Sequence, residues 1–358
     1  MKAKQLVLHI GSPKTGTTML QHALADSADY LREQSVLLPD CARAQGGNAI
    51  TLGYEIFNTS LFERDRVAWL GCSHQEAIES AKSSWKVLQN GARAGEVDQI
   101  LISAEQFMCA MPPDAFANAR KHFESIADET KIVAYLRSPA AFFLSLHQEG
   151  LKVVLPPARG KRPANMPRDM NSALVAQFKR HLGDNVSLNV YHRDTLHQSD
   201  IVTDFCKRYL PKVDPQHMTR KNGSMNTSIS AEAMAIAMDL RSGRIDIQSR
   251  AVPLRKLLIG NDKALPNSTR PKLLNNAQHS ITNWFTPDLI SLRDQHGVVF
   301  PDVDYDALDP DDLDNDIIEY QRVEQICAVD PDRKAALLRR IQLKAKLPFP
   351  ISRWAAKW

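Results

Sequence analysis

Short, continuously apolar runs mark the first half of the chain and a little beyond. They cover residues 5–10, 99–102 and 131–136, and residues 186–191 are a fourth candidate strand. A continuous run, unlike an alternating one, is typical of a strand in a parallel sheet that is covered on both faces. The pattern therefore predicts a central parallel sheet that is complete by Tyr191.

Helical periodicity fills the segments between these runs. Apolar residues recur at spacings of three and four over residues 17–28, 74–90, 114–127 and 140–154, which is typical of helices with one buried face. Strands that alternate with helices favour an α/β fold with right-handed crossovers. We expect three layers, with helices on both faces of the sheet.

The chain after residue 191 has helical patterns and no strong strand pattern. Helices are predicted over residues 230–241, 273–284 and 287–295. We therefore expect an α/β core over residues 1–240 and a helical C-terminal extension, packed on that core, over residues 241–358.

The composition is that of a soluble globular protein, with 43% hydrophobic and 24% charged residues. No apolar run reaches the roughly 18 residues that a membrane span needs. The apolar run 5–10 meets Gly11 and Lys14 at once, which does not fit a signal peptide. The five scattered cysteines form no metal-ligand spacing. We expect a cytoplasmic protein with reduced thiols and no metal site.

Charge is distributed unevenly, although the net charge is only +4. That excess is too small to predict a nucleic-acid partner. Residues 302–319 carry nine acidic side chains, and residues 333–358 carry eight basic ones and no acidic one. Both blocks, and the Pro- and Arg-containing stretch 156–168, are predicted as solvated surface. The basic tail could also contact an anionic membrane or the acidic segment.

The clearest chemical signal lies where the first predicted strand ends. Residues 11–16 read GSPKTG, a loop bounded by two glycines, and a predicted helix follows at once. Glycines permit the backbone angles and the close approach that an anion-binding loop needs, and the N–H groups that open the helix would point at the anion. The predicted anion-binding residues here are Pro13, Lys14, Thr15, Gly16, Thr17 and Thr18.

The loop departs from the Walker A pattern of nucleoside triphosphatases. Thr17 stands where Walker A has its lysine, and the lysine lies at position 14, inside the loop. No strand ends in the aspartate that would help to hold magnesium. A P-loop nucleotide kinase is therefore the alternative function rather than the preferred one.

The segment 13–18, PKTGTT, resembles the 5′-phosphosulfate-binding loop of sulfotransferases that use 3′-phosphoadenosine 5′-phosphosulfate (PAPS). The resemblance extends from residue 5 to about residue 152 and more loosely to residue 241. It implies a P-loop-type fold, PAPS as co-substrate, 3′,5′-ADP (PAP) as product, and no metal.

A second anion site is predicted after the strand 131–136. Arg137 lies at the strand end and Ser145 lies eight residues further on, about two helical turns into the next helix. This pair resembles the family's 3′-phosphate-binding motif. Arg220 and Lys221 resemble the Arg-Lys-Gly loop of cytosolic members, but Asn222 intervenes before the glycine. An exposed turn at 220–224, or an Asn-x-Ser motif at 226–228 like that of bacterial members, are the alternatives.

Sulfuryl transfer needs a cation at the leaving oxygen and a base for the acceptor proton. Lys14 is the candidate cation. Glu105, just after the strand 99–102, is the candidate base, and His147 is the second candidate. His9, inside the first strand, is predicted to be a packed histidine rather than a base.

The resemblance to soluble bacterial members implies transfer to a hydroxyl or amine of an acceptor, namely a carbohydrate or a glycolipid. A nucleotide-binding module without catalysis is a further alternative. Another is a binder of nucleic acid or membrane surfaces that uses 156–168 and the basic tail, which predicts salt-dependent binding without turnover.

Overall fold

The structure is a computed structural model that describes residues 2–57, 72–95, 97–108, 111–152, 166–220, 228–249, 252–309 and 320–346. Several predicted features fall wholly or partly outside these residues. They are the stretch 156–165, Lys221 with the Asn-x-Ser motif, the end of the acidic segment and the end of the basic tail.

Within the described residues, five strands form one sheet in the order β2-β3-β1-β4-β5, with every neighbouring pair parallel. The strands are β1 (Ala3–Gly11), β2 (Val36–Leu37), β3 (Gln99–Ser103), β4 (Ala127–Leu136) and β5 (Val186–Val190). Val7 of β1 is in register with Leu101 on one side and Lys131 on the other. The predicted α/β class with a central parallel sheet is confirmed.

Thirteen α-helices are present in the described part of the chain. They are α1 (Thr17–Asp26), α2 (Ala28–Glu33), α3 (Asp40–Ala44), α4 (His74–Arg93), α5 (Pro113–Ile126), α6 (Pro139–Lys152), α7 (Met170–Leu182), α8 (Ile201–Tyr209), α9 (Ala231–Arg241), α10 (Leu254–Ala264), α11 (Asn275–Trp284), α12 (Thr286–His296) and α13 (Pro331–Ala345). None of them combines the length and hydrophobicity that a membrane crossing requires.

The apolar side chains of the strands are buried on both faces of the sheet. Val7, Leu101 and Val133 pack against α1 and α8 in one cluster. The alternate positions, such as Leu8 and Ile102, are fully buried and point to the opposite face, where α5 contacts β1 and β4. Helices on both faces explain why the strands are continuously apolar.

The carboxyl ends of the parallel strands meet at one edge of the sheet. Backbone hydrogen bonds tie the segments after the strands together: Ser12 N–H donates to the Tyr135 carbonyl at 2.9 Å, and Ala104 N–H to the His9 carbonyl at 2.9 Å. Tyr191 N–H donates to the Leu136 carbonyl at 2.7 Å. This edge is where open α/β sheets bind ligands.

The chain forms two compact units, each made of non-contiguous segments. The first unit comprises Met1–Arg137, Met170–Gly223 and Ser291–Pro301 and contains the sheet. The second unit comprises Ser138–Asp169, Ser224–Ile290 and Asp302–Trp358, and its described residues are mainly helical. The boundary predicted near residue 240 stays a prediction.

A buried arginine joins three helices of the second unit. Arg333 of α13 donates to Glu232 of α9 at 2.7 Å and to the Asp262 carboxylate of α10 at 3.0 Å. Burial alone would raise the pKa of Glu232, but hydrogen bonds from Thr269, the Asp330 backbone and Ser230 hold it below its usual value. Arg333 is 6% exposed, so the expectation of solvated surface is wrong for this first residue of the basic tail.

Candidate active site

The predicted phosphate loop joins β1 directly to α1. Gly11, Lys14 and Gly16 all have positive φ angles, of 97°, 67° and 76°, so the loop is tightly curled. Gly16 is the N-cap of α1, and within the described residues no side chain caps this end and no acidic residue lies in its first turn. The first N–H groups of α1 thus form a ready binding site for an anion.

Both bounding glycines are packed so closely that a side chain would make a tight contact, and its neighbour would have to shift by a few tenths of an ångström. A Cβ at Gly11 would lie 3.1 Å from Cβ of Glu105. A Cβ at Gly16 would lie 3.0 Å from the ring and the hydroxyl oxygen of Tyr191. The loop is therefore enclosed between residues that follow β3 and β5.

The threonine hydroxyls of the loop have different partners. Thr15 Oγ1 is buried and donates to the Ser12 carbonyl at 2.5 Å. Thr17 Oγ1 donates to Glu105 Oε2 at 2.9 Å. Thr18 is exposed. Thr15 can therefore offer a ligand only its backbone N–H in this conformation, while the hydroxyl of Thr17 orients the Glu105 carboxylate.

Arg137 lies beside the loop at the carboxyl end of β4. Its Nη1 donates to the Lys14 carbonyl at 3.2 Å, and its guanidinium carbon lies 5.8 Å from the centre of the Tyr191 ring. The structure thus brings Lys14, Thr17, Glu105 and Arg137 together at one edge of the sheet, as the sequence predicts for the ends of neighbouring parallel strands.

Tyr191 is a member of this site that sequence reasoning missed. It is half-buried and contacts the loop at Gly16 and the guanidinium of Arg137. Burial raises the pKa of Tyr191, against the opposing effect of Arg137 and Arg193, so the hydroxyl keeps its proton. The signal was available, because Tyr191 ends a predicted strand at the same edge as Arg137.

His9 is a packed core histidine, as predicted. It is 1% exposed, and its Nδ1 lies 2.8 Å from Ser103 Oγ. Its ring meets the edges of Tyr135 and Phe205. Burial lowers the pKa of His9 to about 3, so the ring is neutral at physiological pH.

Arg220 is engaged with its own neighbourhood in the first unit. Its Nη2 donates to Asp200 Oδ1 at 3.1 Å and to Thr203 Oγ1 at 3.0 Å, and its Nη1 donates to the Pro215 carbonyl at 2.9 Å. Asp200 is the N-cap of α8. A 3′-phosphate role for Arg220 stays a prediction and would require it to exchange these partners for a phosphate.

Ser145 and His147 lie on α6 of the second unit. Ser145 is partly exposed. The His147 ring stacks on Phe143, and its Nδ1 lies 3.1 Å from the Tyr320 hydroxyl. Burial, together with the charge of Arg241, lowers the pKa of His147 to about 4. His147 is thus a neutral imidazole, and its predicted role as a base stays a prediction.

Thiols and metal ligands contribute no further site in the part of the chain that the structure describes. No group of three or more His, Cys, Asp or Glu side chains is placed to hold a metal ion there. Cys41, Cys206 and Cys327 are buried and reduced. Burial raises the pKa of the Cys206 thiol to about 12, so this thiol is a poor nucleophile.

Comparison with known proteins gives distant likenesses only. No family model and no curated sequence matches the chain. Among solved structures, a sulfotransferase from Alicyclobacillus acidocaldarius is similar at 12% identity and a TM-score of 0.42, covering 84% of this chain and 98% of the other. The sulfotransferase domain from the curacin biosynthetic pathway is similar at 14% identity and a TM-score of 0.34, covering 63% and 81%. Likenesses this remote carry no argument about activity.

Proposed function

We propose that the chain is a PAPS-dependent sulfotransferase, which moves a sulfuryl group from PAPS to a hydroxyl or amine of a carbohydrate or glycolipid acceptor. One observation carries the proposal. The loop 11–16, with its lysine in mid-loop, lies at one sheet edge with a carboxylate from the end of β3 and an arginine from the end of β4.

The donor would be held by the loop and by Arg137. The open N–H groups at the start of α1, together with the Lys14 ammonium, suit the 5′-phosphosulfate. Arg137 offers a planar, permanently charged fork for the 3′-phosphate. Ser145 is proposed as a further donor to that phosphate, and this part of the proposal rests on the sequence motif alone.

The chemistry assigns one role to each charged side chain. Glu105 would take the proton of the acceptor hydroxyl or amine, whose oxygen or nitrogen then bonds to sulfur. The bond between sulfur and the bridging phosphate oxygen breaks, and Lys14 would meet the negative charge that develops there. Thr17, whose hydroxyl donates to Glu105 Oε2 at 2.9 Å, would keep the carboxylate aimed. His147 is the second candidate for the base.

Calorimetric titration with PAP tests the donor class without knowledge of the acceptor. ATP with magnesium and adenosine 5′-phosphate serve as comparison ligands. We expect PAP to bind much more tightly than either, because only PAP carries both phosphates. A preference for ATP with magnesium would replace the proposal with a kinase or ATPase. Absence of binding to all three would reject the donor site altogether.

A positive titration leads to an acceptor screen with radiolabelled PAPS. Glu105→Gln keeps the shape of the side chain and the hydrogen bond from Thr17, but it removes the base. We expect this variant to bind PAP as wild type does and to lose turnover. Wild-type turnover in Glu105→Gln, with loss in His147→Gln, would transfer the base role to His147.

A further inference from the structure

The second unit contains a cleft of about 370 Å³, and none of the donor residues assigned above is among the residues that line it. Its walls come from the first turns of α6, from the segment that leads into α11, and from Asp302. A volume of this size lies within the usual range for small-ligand sites. The side chains that line the cleft combine charge, hydrogen-bonding capacity and apolar surface.

Two cations stand on one wall of this cleft. Residues 270–273 alternate, with Arg270 and Lys272 exposed and Pro271 and Leu273 buried, so the two cations project from the same side of an extended segment. The segment is fixed, because Leu273 pairs with Cys327 and Leu274 N–H donates to the Ile326 carbonyl at 2.8 Å.

Within the described residues, no carboxylate forms an ion pair with Arg270 or Lys272. Asp302 lines the same cleft, but its Oδ2 accepts a hydrogen bond from the Ser138 hydroxyl at 2.5 Å. Two cations against one carboxylate give the described lining of the cleft a net positive charge, which favours an anionic ligand.

The uncharged residues that line the cleft, together with Asp302, indicate what else the ligand carries besides its negative charge. Ala141 and Leu144 offer apolar surface, while the Gln278 amide and the Asp302 carboxylate can form hydrogen bonds with hydroxyl groups. A sugar ring has an apolar C–H face and a rim of hydroxyls, and a uronate adds one carboxylate for Arg270 and Lys272. We propose that this cleft binds an acidic, uronate-bearing carbohydrate.

Calorimetry with a glucuronate-containing tetrasaccharide tests the proposal on the full-length protein. The comparison ligand is the same tetrasaccharide with its carboxyl groups reduced to alcohols. Charged hydrogen bonds are worth enough that the reduced ligand should bind about tenfold more weakly or worse. Arg270→Ala and Lys272→Ala should each weaken binding of the acidic ligand by a similar factor, while affecting the reduced ligand little.

Lys256→Ala is the matched control, because Lys256 is an exposed cation of the same unit outside the cleft. If Lys256→Ala weakens binding of the acidic tetrasaccharide as much as Lys272→Ala does, then the binding is non-specific electrostatic attraction, and the proposal is overturned. Equal affinity for the acidic and reduced ligands would also overturn it, as would tighter binding of decanoate, a fatty carboxylate. The same variants are also titrated with PAP. PAP binding tests the proposed function and carbohydrate binding tests the cleft, so failure of one proposal can be distinguished from failure of the other.

Discussion

At the scale of single residues, Lys14 combines an unusual backbone with a central position in the loop. Its φ of 67° is one that lysine rarely adopts, and such strain is often found at functional sites. We expect Lys14→Ala to lower the rate of sulfuryl transfer by about 10²–10³, the usual effect of losing one transition-state donor. Initial rates with labelled PAPS measure this.

Lys14→Gly separates the charge of Lys14 from its backbone strain. Glycine adopts a positive φ freely, so this variant should fold at least as stably as wild type and still lose turnover to the same extent as Lys14→Ala. Turnover close to that of wild type in either variant would exclude Lys14 from the chemistry.

Arg137 should discriminate between nucleotides by their 3′-phosphate. Arg137→Ala is expected to weaken PAP binding by tenfold or more, because a charged hydrogen bond is lost, and to weaken binding of adenosine 5′-phosphate much less. Arg220→Ala is the comparison variant and should change PAP affinity less, since Arg220 is bound to Asp200 and Thr203. Equal losses for both nucleotides in Arg137→Ala would mean that Arg137 only supports the loop.

The sequence identified residues of the site whose position follows from topology, and missed contacts that follow from packing. Glu105 and Arg137 were predictable, because each follows a buried parallel strand and such strands end at one edge. The hydrogen bond from Thr17 to Glu105, and the contact of Tyr191 with Gly16, depend on how α1 and β5 pack. The direction in which a side-chain hydroxyl points cannot be predicted from a sequence pattern.

At the scale of elements, the connection between β1 and α1 depends on Gly16 for two separate reasons. Gly16→Ala places a side chain at a positive φ, which costs roughly 1–2 kcal/mol, and brings its Cβ to within 3.0 Å of the Tyr191 ring, a tight contact. Gly183→Ala is the matched control, because Gly183 has a φ of 96° and no atom within 4 Å of an added Cβ. In urea unfolding, Gly16→Ala should lose clearly more stability than Gly183→Ala.

Tyr191→Ala should reduce the extra loss of stability that Gly16→Ala shows over Gly183→Ala. The added Cβ at Gly16 then has space, so the double variant Gly16→Ala/Tyr191→Ala should lose less stability than the sum of its single changes. Additive losses would show that the contact with Tyr191 does not restrict the loop.

Two elements of the structure, β2 and α13, were not predicted from the sequence, and only one of them has a recognisable sequence pattern. The two-residue strand β2 is too short to show any periodicity, and its place beside β3 depends on the rest of the sheet. Helix α13 did offer a signal: Asp330 precedes Pro331, a typical helix start, and Leu337, Ile341 and Ala345 recur every four residues and are buried. The cluster of basic residues there hid an amphipathic pattern.

At the scale of the whole molecule, the stability of the second unit should depend on Arg333. Arg333→Ala leaves the carboxylates of Glu232 and Asp262 buried without their partner, and breaking a buried pair in this way costs about 3–5 kcal/mol. Arg339→Ala, an exposed change on the same helix, should cost very little. Hydrogen exchange of α9, α10 and α13 measures this, and equal protection in both variants would contradict it.

Acid should destabilise both compact units through a buried histidine in each. The pKa of His9 in the first unit is lowered to about 3, and that of His147 in the second unit to about 4. An unfolded histidine takes up its proton near pH 6.5. Between pH 6.5 and about 4, the unfolded chain therefore binds protons that the folded chain does not, and stability falls as pH decreases.

The steepness with which stability falls with decreasing pH shows whether buried histidines cause the loss. Each such histidine contributes up to about 1.4 kcal/mol per pH unit below pH 6.5, so wild type should lose up to about 2 kcal/mol per histidine between pH 7 and pH 5. His147→Gln should remove the contribution of His147, and hydrogen exchange of the second unit at the two pH values measures it. His279→Gln, at an exposed histidine of the same unit, should leave the pH dependence unchanged. If His147→Gln loses as much protection between pH 7 and pH 5 as His279→Gln does, then the pKa of His147 is not lowered in the folded protein, and the buried ring is not the source of the pH dependence.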